Sequence, residues 1–279
     1  MKTIIVTLIS LLATAISAFA QDFQGMAVYE SKTSTADMMA NFAGNREITP
    51  EMKKNIEERM KSAFEKTFIL IFDKTTSTYK EEEKIEQPGQ SGGGMRMMGS
   101  MMGGGGTQFK NVKDKTYTVD KEFFGKEFLI VEPLVQPEWK LIDETKKIGD
   151  YNCFKAELVI PVSEKQKKEY EEFLKKEEKK PALFKMEKPE DKVITAWYTP
   201  EIPVNFGPDN YWGLPGLILE VSEEKLIILC SKVVLSNKEK TKIKAPNTGE
   251  KVSQKKFDEI QKKKTDSMKD EDGVIMFQH

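Results

Sequence analysis

The residue types that most often carry out chemistry in proteins are scarce in this 279-residue chain. Its single histidine is His279, so neither a Ser/His/Asp or Cys/His nucleophile system nor a histidine-based zinc site can form inside the fold. An enzyme would therefore depend on paired carboxylates in a cleft. Acidic runs occur at 81–83 and 270–272, but such runs are usually solvated faces, whereas a general acid needs burial. We expect no enzymatic activity and no catalytic residues.

Thioether sulfur offers a second kind of chemistry. Residues 92–106 are rich in glycine and hold five methionines. Soft sulfur donors suit Cu(I), and glycine would let several of them reach one ion, although no histidine assists and Gly-rich tracts are usually linkers. Methionines also serve as adaptable apolar contacts. We expect no cofactor and keep Cu(I) binding by this loop as the alternative. The methionines are Met95, Met97, Met98, Met101 and Met102.

Residues 1–20 have the pattern of a signal peptide. Lys2 precedes an apolar run over 4–15, and Ala18-Phe19-Ala20 places small residues at both recognition positions before Gln21. The run is short for a membrane span, and no other apolar run approaches the ~20 residues that a spanning helix needs. Because residue 21 is not cysteine, the lipid anchor of a bacterial lipoprotein is missing. We expect an exported protein, periplasmic or secreted, that is soluble and has no membrane span.

The two cysteines, Cys153 and Cys230, lie in strand-like segments. In an oxidising compartment they would pair if their Cα atoms came within ~7 Å, and the bridge would add about 4.5 kcal/mol in the chain-entropy model. Two buried free thiols are the alternative. No CxxC spacing or basic neighbour tunes either sulfur for catalysis.

The polar and apolar pattern predicts a mainly β or α+β fold with one domain over 21–279. Short strand-like segments separated by turns favour a curved antiparallel sheet with a few helices on one side. Strands are predicted at 24–31, 67–72, 75–79, 109–119, 126–131, 139–145, 151–159, 193–199, 217–221 and 226–235. The last of these is apolar nearly throughout, which predicts burial on both faces.

Helices are predicted at 49–66, 164–180 and 254–268. The first begins with Thr49 as a cap and Pro50 at the first helical position. The second, over 164–180, is charged almost throughout and is interpreted as a solvated insertion. The Gly/Met-rich segment over 92–106 is interpreted as a second, flexible insertion. With 44 basic and 45 acidic residues, the chain shows no excess of positive charge that would favour nucleic acid as a partner.

The densest aromatic signal lies in residues 196–221, AWYTPEIPVNFGPDNYWGLPGLILEV. Four prolines fix φ and cannot donate ladder hydrogen bonds, so an ordered, irregular crossing should follow the strand that ends near Tyr198. The aromatic side chains either seal the end of a curved sheet or form the rim of an apolar pocket. Asp209 would steer a ligand headgroup beside that rim or cap a turn. The pocket candidates are Trp197, Tyr198, Phe206, Asp209, Tyr211 and Trp212.

The segment Leu214-Pro215-Gly216-Leu217 predicts a type II turn. Proline presets φ at the second position of such a turn, and glycine at the third accepts positive φ. This turn would start the next strand.

A family resemblance rests on residues 213–218. They read GLPGLI, that is Gly213, Leu214, Pro215, Gly216, Leu217 and Ile218. The chain resembles the GLPGLI family of exported Bacteroidota proteins in this motif, in AWYTPEIPVNFGP before it, and in GMAVYE and KIGDYNCFKAEL. The family has no established activity. The resemblance implies the open half-barrel of periplasmic lipoprotein carriers, whose concave face holds acyl chains under a helical lid.

These observations predict an exported, non-enzymatic protein of the GLPGLI family that binds a hydrophobic small molecule or lipid in a curved-sheet cavity. A Cu(I)-handling envelope protein is the alternative. Protein partners stay open.

Overall fold

The computed structural model describes residues 24–33, 49, 51–52, 54–55, 65–82, 105–177, 188–224, 226–236 and 242–268. The strands are β1 (Gln24–Thr33), β2 (Lys66–Phe72), β3 (Thr76–Glu81), β4 (Gln108–Asn111), β5 (Thr116–Phe123), β6 (Lys126–Pro133), β7 (Lys140–Ile148), β8 (Tyr151–Ile160), β9 (Lys192–Thr199), β10 (Leu217–Glu223), β11 (Leu226–Ser236) and β12 (Glu250–Val252). The longer helices are α1 (Glu164–Glu177) and α2 (Gln254–Asp266). The predicted fold class, mainly β with antiparallel strands and a few helices, is confirmed.

The chain packs as two compact units. The first takes in the described residues of Met1–Tyr29, Thr67–Val135 and Ser231–His279. Its strands follow the order β12-β6-β5-β4-β3-β2, antiparallel throughout except that β12 runs parallel to β6. Phe257 of α2 is fully buried against β5 and β6, with its ring centroid 5.2 Å from that of Phe128. The apolar side of α2 thus packs on one face of β5 and β6.

The second unit takes in the described residues of Glu30–Lys66 and Gln136–Cys230. Its strands, which include β11 only as far as Cys230, follow the antiparallel order β11-β10-β9-β8-β7. Alternate residues of β8, β9 and β10 point to one face and form the core of the unit. That core consists of Ala156, Ile194, Ala196, Tyr198, Ile218 and Val221 from these strands, and of Leu214 from the segment before β10. The expectation of a single domain over 21–279 stays a prediction.

The predicted helices over 164–180 and 254–268 are found where the structure describes them, whereas the one predicted over 49–66 extends too far, because Lys66 is the first residue of β2. Met52 donates its backbone N–H to the Thr49 hydroxyl at 3.2 Å, which confirms the cap, and most of the predicted helix beyond it lies outside the described residues. At the start of α1, Ser163 and Gln166 form a reciprocal capping box. Neither α1 nor α2 has the length and apolar character that crossing a bilayer requires.

One predicted strand is in fact two. Residues 109–119 were expected to be continuous, but β4 ends at Asn111 and β5 begins at Thr116. The Asn111 side-chain oxygen accepts the backbone N–H groups of Lys113 and Asp114 at 3.0 Å, and its amide donates to the Asp114 carboxylate at 2.8 Å. Asparagine therefore turns the chain back on itself, as it often does in tight turns.

The prediction that residues 226–235 are buried on both faces is wrong. Ile228 of β11 is 5% exposed, whereas Ile227 and Leu229 beside it are 48% and 40% exposed. Val234 and Leu235 are also more than 40% exposed. Apolar composition favours a strand but does not determine its burial, which depends on the elements that pack against each face.

Candidate ligand-binding site

The proline-rich crossing between β9 and β10 is an ordered part of the second unit's core. Ile202, Val204 and Phe206 are at most 1% exposed, although they lie outside regular secondary structure. Backbone hydrogen bonds tie the crossing to the first residues of β10, from Leu217 N to Ile202 O and from Ile218 N to Phe206 O, both at 3.0 Å. The expectation of an ordered, irregular crossing is confirmed.

The turn at Pro215 differs from the predicted type II turn. Gly216 does not adopt positive φ, and its N–H donates to Leu214 O at 2.9 Å, so the turn closes over three residues. Glycine is needed here because a Cβ atom would overlap the carbonyl oxygen of Thr199. Within residues 213–216 it is Gly213 that adopts positive φ, at +93°.

The six predicted pocket residues do not form one rim. Tyr198, Phe206 and Trp212 are at most 8% exposed and pack inside the unit. Trp197 alternates with Tyr198 on β9 and so faces the other side of the sheet, where Lys146 Nζ lies 4.4 Å from its ring centroid. For the three buried aromatics the structure favours the explanation that they seal the sheet.

Tyr211 bonds to β10, and Asp209, two residues before it, lies in the left-handed region of backbone conformation. The Tyr211 hydroxyl donates to Glu223 Oε2 at 2.9 Å, and Lys192 Nζ donates to Glu223 Oε1 at 2.6 Å. Burial and the bond to Glu223 raise the pKa of Tyr211, and the bond from Lys192 lowers the pKa of Glu223. Asp209 has φ of +46°, which asparagine and aspartate tolerate better than most residues. These contacts hold the crossing against β10.

The two cysteines lie on strands that are not neighbours. Cys153 is on β8 and Cys230 on β11, with β9 and β10 between them. Three strand spacings correspond to about 14 Å, twice the Cα separation that a disulfide allows. Neither sulfur is part of a disulfide in the structure, and burial raises the pKa of Cys153 to about 11. The arrangement favours two thiols over the disulfide.

An open cavity lies elsewhere, in the first unit. It has a volume of about 320 Å³ and is formed over β2 and β3 on the face opposite the buried Leu70 and Tyr79. Pairing sets Ile69 beside Lys80 and Ile71 beside Thr78, so the four side chains share this face. We call this feature the β2–β3 cavity. It is lined by Ile69, Ile71, Thr78, Lys80, Glu81, Thr107, Lys242, Ile243 and Lys244.

The β2–β3 cavity has an apolar base and a mainly basic perimeter. Ile69, Ile71 and Ile243 are partly buried, whereas the lysines at positions 80, 242 and 244 are exposed. Glu81 is the carboxylate among the lining residues. The arrangement can enclose an apolar group and present ammonium groups to whatever polar end leaves the cavity.

Sequence reasoning missed this cavity. The run TFILIF predicts a densely apolar strand. This pattern does not show that Ile69 and Ile71 lie on a partly open face of that strand. The short alternation Lys242-Ile243-Lys244 was the one further signal.

Several predictions fall outside the described residues. These are the signal peptide at 1–20, the five methionines at 95–102, and the acidic run at 270–272. Cu(I) binding and export therefore stay predictions.

Residues 139–220 match the profile of a family described as "Protein of unknown function (Porph_ging)". This segment resembles a family of unknown function. It begins at Trp139 and contains the GLPGLI hexapeptide, but it covers less than a third of the chain, and the GLPGLI family name stays a prediction. No curated protein matches the chain at a significant level.

Two solved structures of PNGF-II, in space groups C2 and P21, are also similar to this chain. The first has 14% sequence identity and a TM-score of 0.47, and the second has 15% and 0.48. Each alignment covers 87% of this chain but only 33% or 34% of the other. This chain thus spans about a third of the length of those structures.

Proposed function

We propose that this protein binds a hydrophobic small molecule or lipid without chemically changing it, and that the ligand occupies the β2–β3 cavity. The main support for this proposal is the open space of about 320 Å³ above Ile69 and Ile71. This volume lies at the lower end of the range for small-molecule sites, about 300–1,000 Å³, and suits a single alkyl chain or a compact apolar group.

The driving force would come from apolar surface. Each methylene moved from water into the cavity contributes about 0.8 kcal/mol, so a short alkyl chain offsets the cost of losing its freedom. The partly buried Ile69, Ile71 and Ile243 supply the surface against which such a chain would pack.

The lining argues for binding rather than catalysis. It includes one carboxylate, Glu81, and neither histidine nor cysteine. General acid–base catalysis with carboxylates commonly needs a pair held in different environments, and a nucleophile needs an activating base. We therefore propose a non-enzymatic role.

The predicted role of the aromatic segment changes accordingly. Phe206 and Trp212 fill the second unit, so we assign this segment to stability and place the proposed ligand over β2 and β3 instead.

We also propose that the protein acts after export, in the periplasm or outside the cell. The support is the signal-peptide pattern of residues 1–20. Cleavage after Ala20 would leave Gln21 as the first residue, which N-terminal sequencing of the exported protein would test.

Filling the cavity tests its use. Ile71→Trp should occupy the space above β2, while Val193→Trp adds the same side chain at a residue of β9 that is 51% exposed. Protein purified without detergent is extracted and its bound molecules are identified by mass spectrometry. We expect a bound apolar compound in the wild type and in Val193→Trp, and its loss in Ile71→Trp with an unchanged circular dichroism spectrum. If Ile71→Trp retained the bound compound, the β2–β3 cavity would not be its binding site.

A further inference from the structure

The charges around the β2–β3 cavity indicate the class of ligand. Three lysines, Lys80, Lys242 and Lys244, line it together with one acidic residue, Glu81. The whole chain has a formal net charge of −1. The excess of positive charge is therefore local to the β2–β3 cavity and does not follow from the composition of the chain.

Lys242 and Lys244 are exposed and form no ion pair with a described residue. They flank Ile243, which is partly buried at the same cavity. Long lysine stems pack along apolar surface while their ammonium groups stay in water. The two ammonium groups can thus lie where the polar end of a ligand would emerge above an alkyl chain packed on Ile69 and Ile71.

We infer that the ligand is a single-chain amphiphile with an anionic headgroup, a carboxylate or a phosphate, and that Lys242 and Lys244 bind this headgroup. The inference rests on the proposed function, since it assumes that the cavity is occupied. Ammonium groups bind either anion as point charges. The alkyl chain supplies affinity, and the lysines select the charge of the head.

Decanoate, decyl phosphate and decanol test the inference, because they share a chain and differ in the head. Binding of each to the full chain is measured by isothermal titration calorimetry below its micellar concentration. Exposed ion pairs are weak, so we expect each anionic ligand to bind about fivefold to tenfold more tightly than decanol. Raising the salt concentration should reduce this preference.

The variant Lys242→Gln/Lys244→Gln should reduce the preference for the anionic ligands much more than it changes decanol binding, since Lys80 stays at the cavity. Lys255→Gln/Lys262→Gln is the matched control, because it removes the same charge from exposed positions of α2. An equal loss in the control would show a general charge effect and overturn the site. The tighter of decanoate and decyl phosphate identifies the headgroup.

The outcomes separate the two proposals. If all three compounds bind equally, the headgroup inference is wrong and the hydrophobic site stands. If none binds the wild type, and none binds after solvent extraction of endogenous lipid, the proposed function fails and the inference with it.

Discussion

The hydroxyl of Tyr211 donates a hydrogen bond to Glu223 Oε2 at 2.9 Å, and Lys192 approaches the other oxygen of the same carboxylate at 2.6 Å. Tyr211 belongs to the proline-rich crossing, whereas Glu223 ends β10 and Lys192 begins β9. One carboxylate therefore ties an irregular segment to two strands. The aromatic residues of the same segment had predicted the rim of a binding pocket.

Tyr211→Phe should lower the free energy of unfolding by about 1–2 kcal/mol, because it removes a hydrogen bond to a charged group and retains the ring. Chemical denaturation measures the difference. Tyr170→Phe is the control, since Tyr170 on α1 forms no hydrogen bond with a described residue. Equal stability of the two variants would mean that the bond to Glu223 contributes nothing.

Acid should weaken the same contact. Lys192 is the main cause that lowers the pKa of Glu223 below its ordinary value of 4.5. The ionised carboxylate therefore contributes stability that is fully present above pH 4.5 and is lost as the pH falls through the folded-state pKa. The stability advantage of wild type over Glu223→Gln should be constant near neutral pH and shrink in acid. An advantage that grows as the pH falls would contradict this assignment.

Gly216→Ala should destabilise the protein by about 3 kcal/mol or more, because the new Cβ would overlap the backbone oxygen of Thr199, which cannot move aside. Gly125→Ala is a comparison in which φ of +73° strains alanine but the space is open, so about 1–2 kcal/mol is expected. Thermal and chemical unfolding provide both values. A smaller cost at Gly216 would show that the crossing yields more readily than its packing indicates.

Both cysteines should remain thiols in protein recovered from the exported fraction. Alkylation under denaturing, non-reducing conditions should add two alkyl groups by intact mass, because β9 and β10 separate the residues. In the native protein Cys153 should react slowly, since it is fully buried and its pKa is raised to about 11. A mass that gains two alkyl groups only after reduction would establish a disulfide.

The sequence predicts strands well where alternation or turn residues are strong. The pair β7 and β8 follows from Gly149-Asp150, and the cap at Thr49 follows from its position before Pro50. The break between β4 and β5 was missed because Lys113, Asp114 and Lys115 interrupt the apolar pattern only briefly, and the deciding contact is the side chain of Asn111.

Burial and the cavity could not be predicted in the same way. Ile227 and Ile228 have the same side chain, yet only the second is buried, because tertiary contacts cover one face of β11. The β2–β3 cavity joins Ile69 and Ile71 to Lys242–Lys244, which are far apart in the chain. A local sequence pattern gives no information about contacts between segments that are far apart in the chain.

Mapping the contacts of a photoactivatable alkyl ligand would test the proposed location directly. A decanoate analogue with a terminal diazirine is bound to the full chain, activated by light, and its crosslinks are located by peptide mass spectrometry. The account predicts labelling concentrated at Ile69, Ile71 and Ile243, competed away by unlabelled decanoate. Labelling concentrated in residues 197–212, or insensitive to competition, would contradict it.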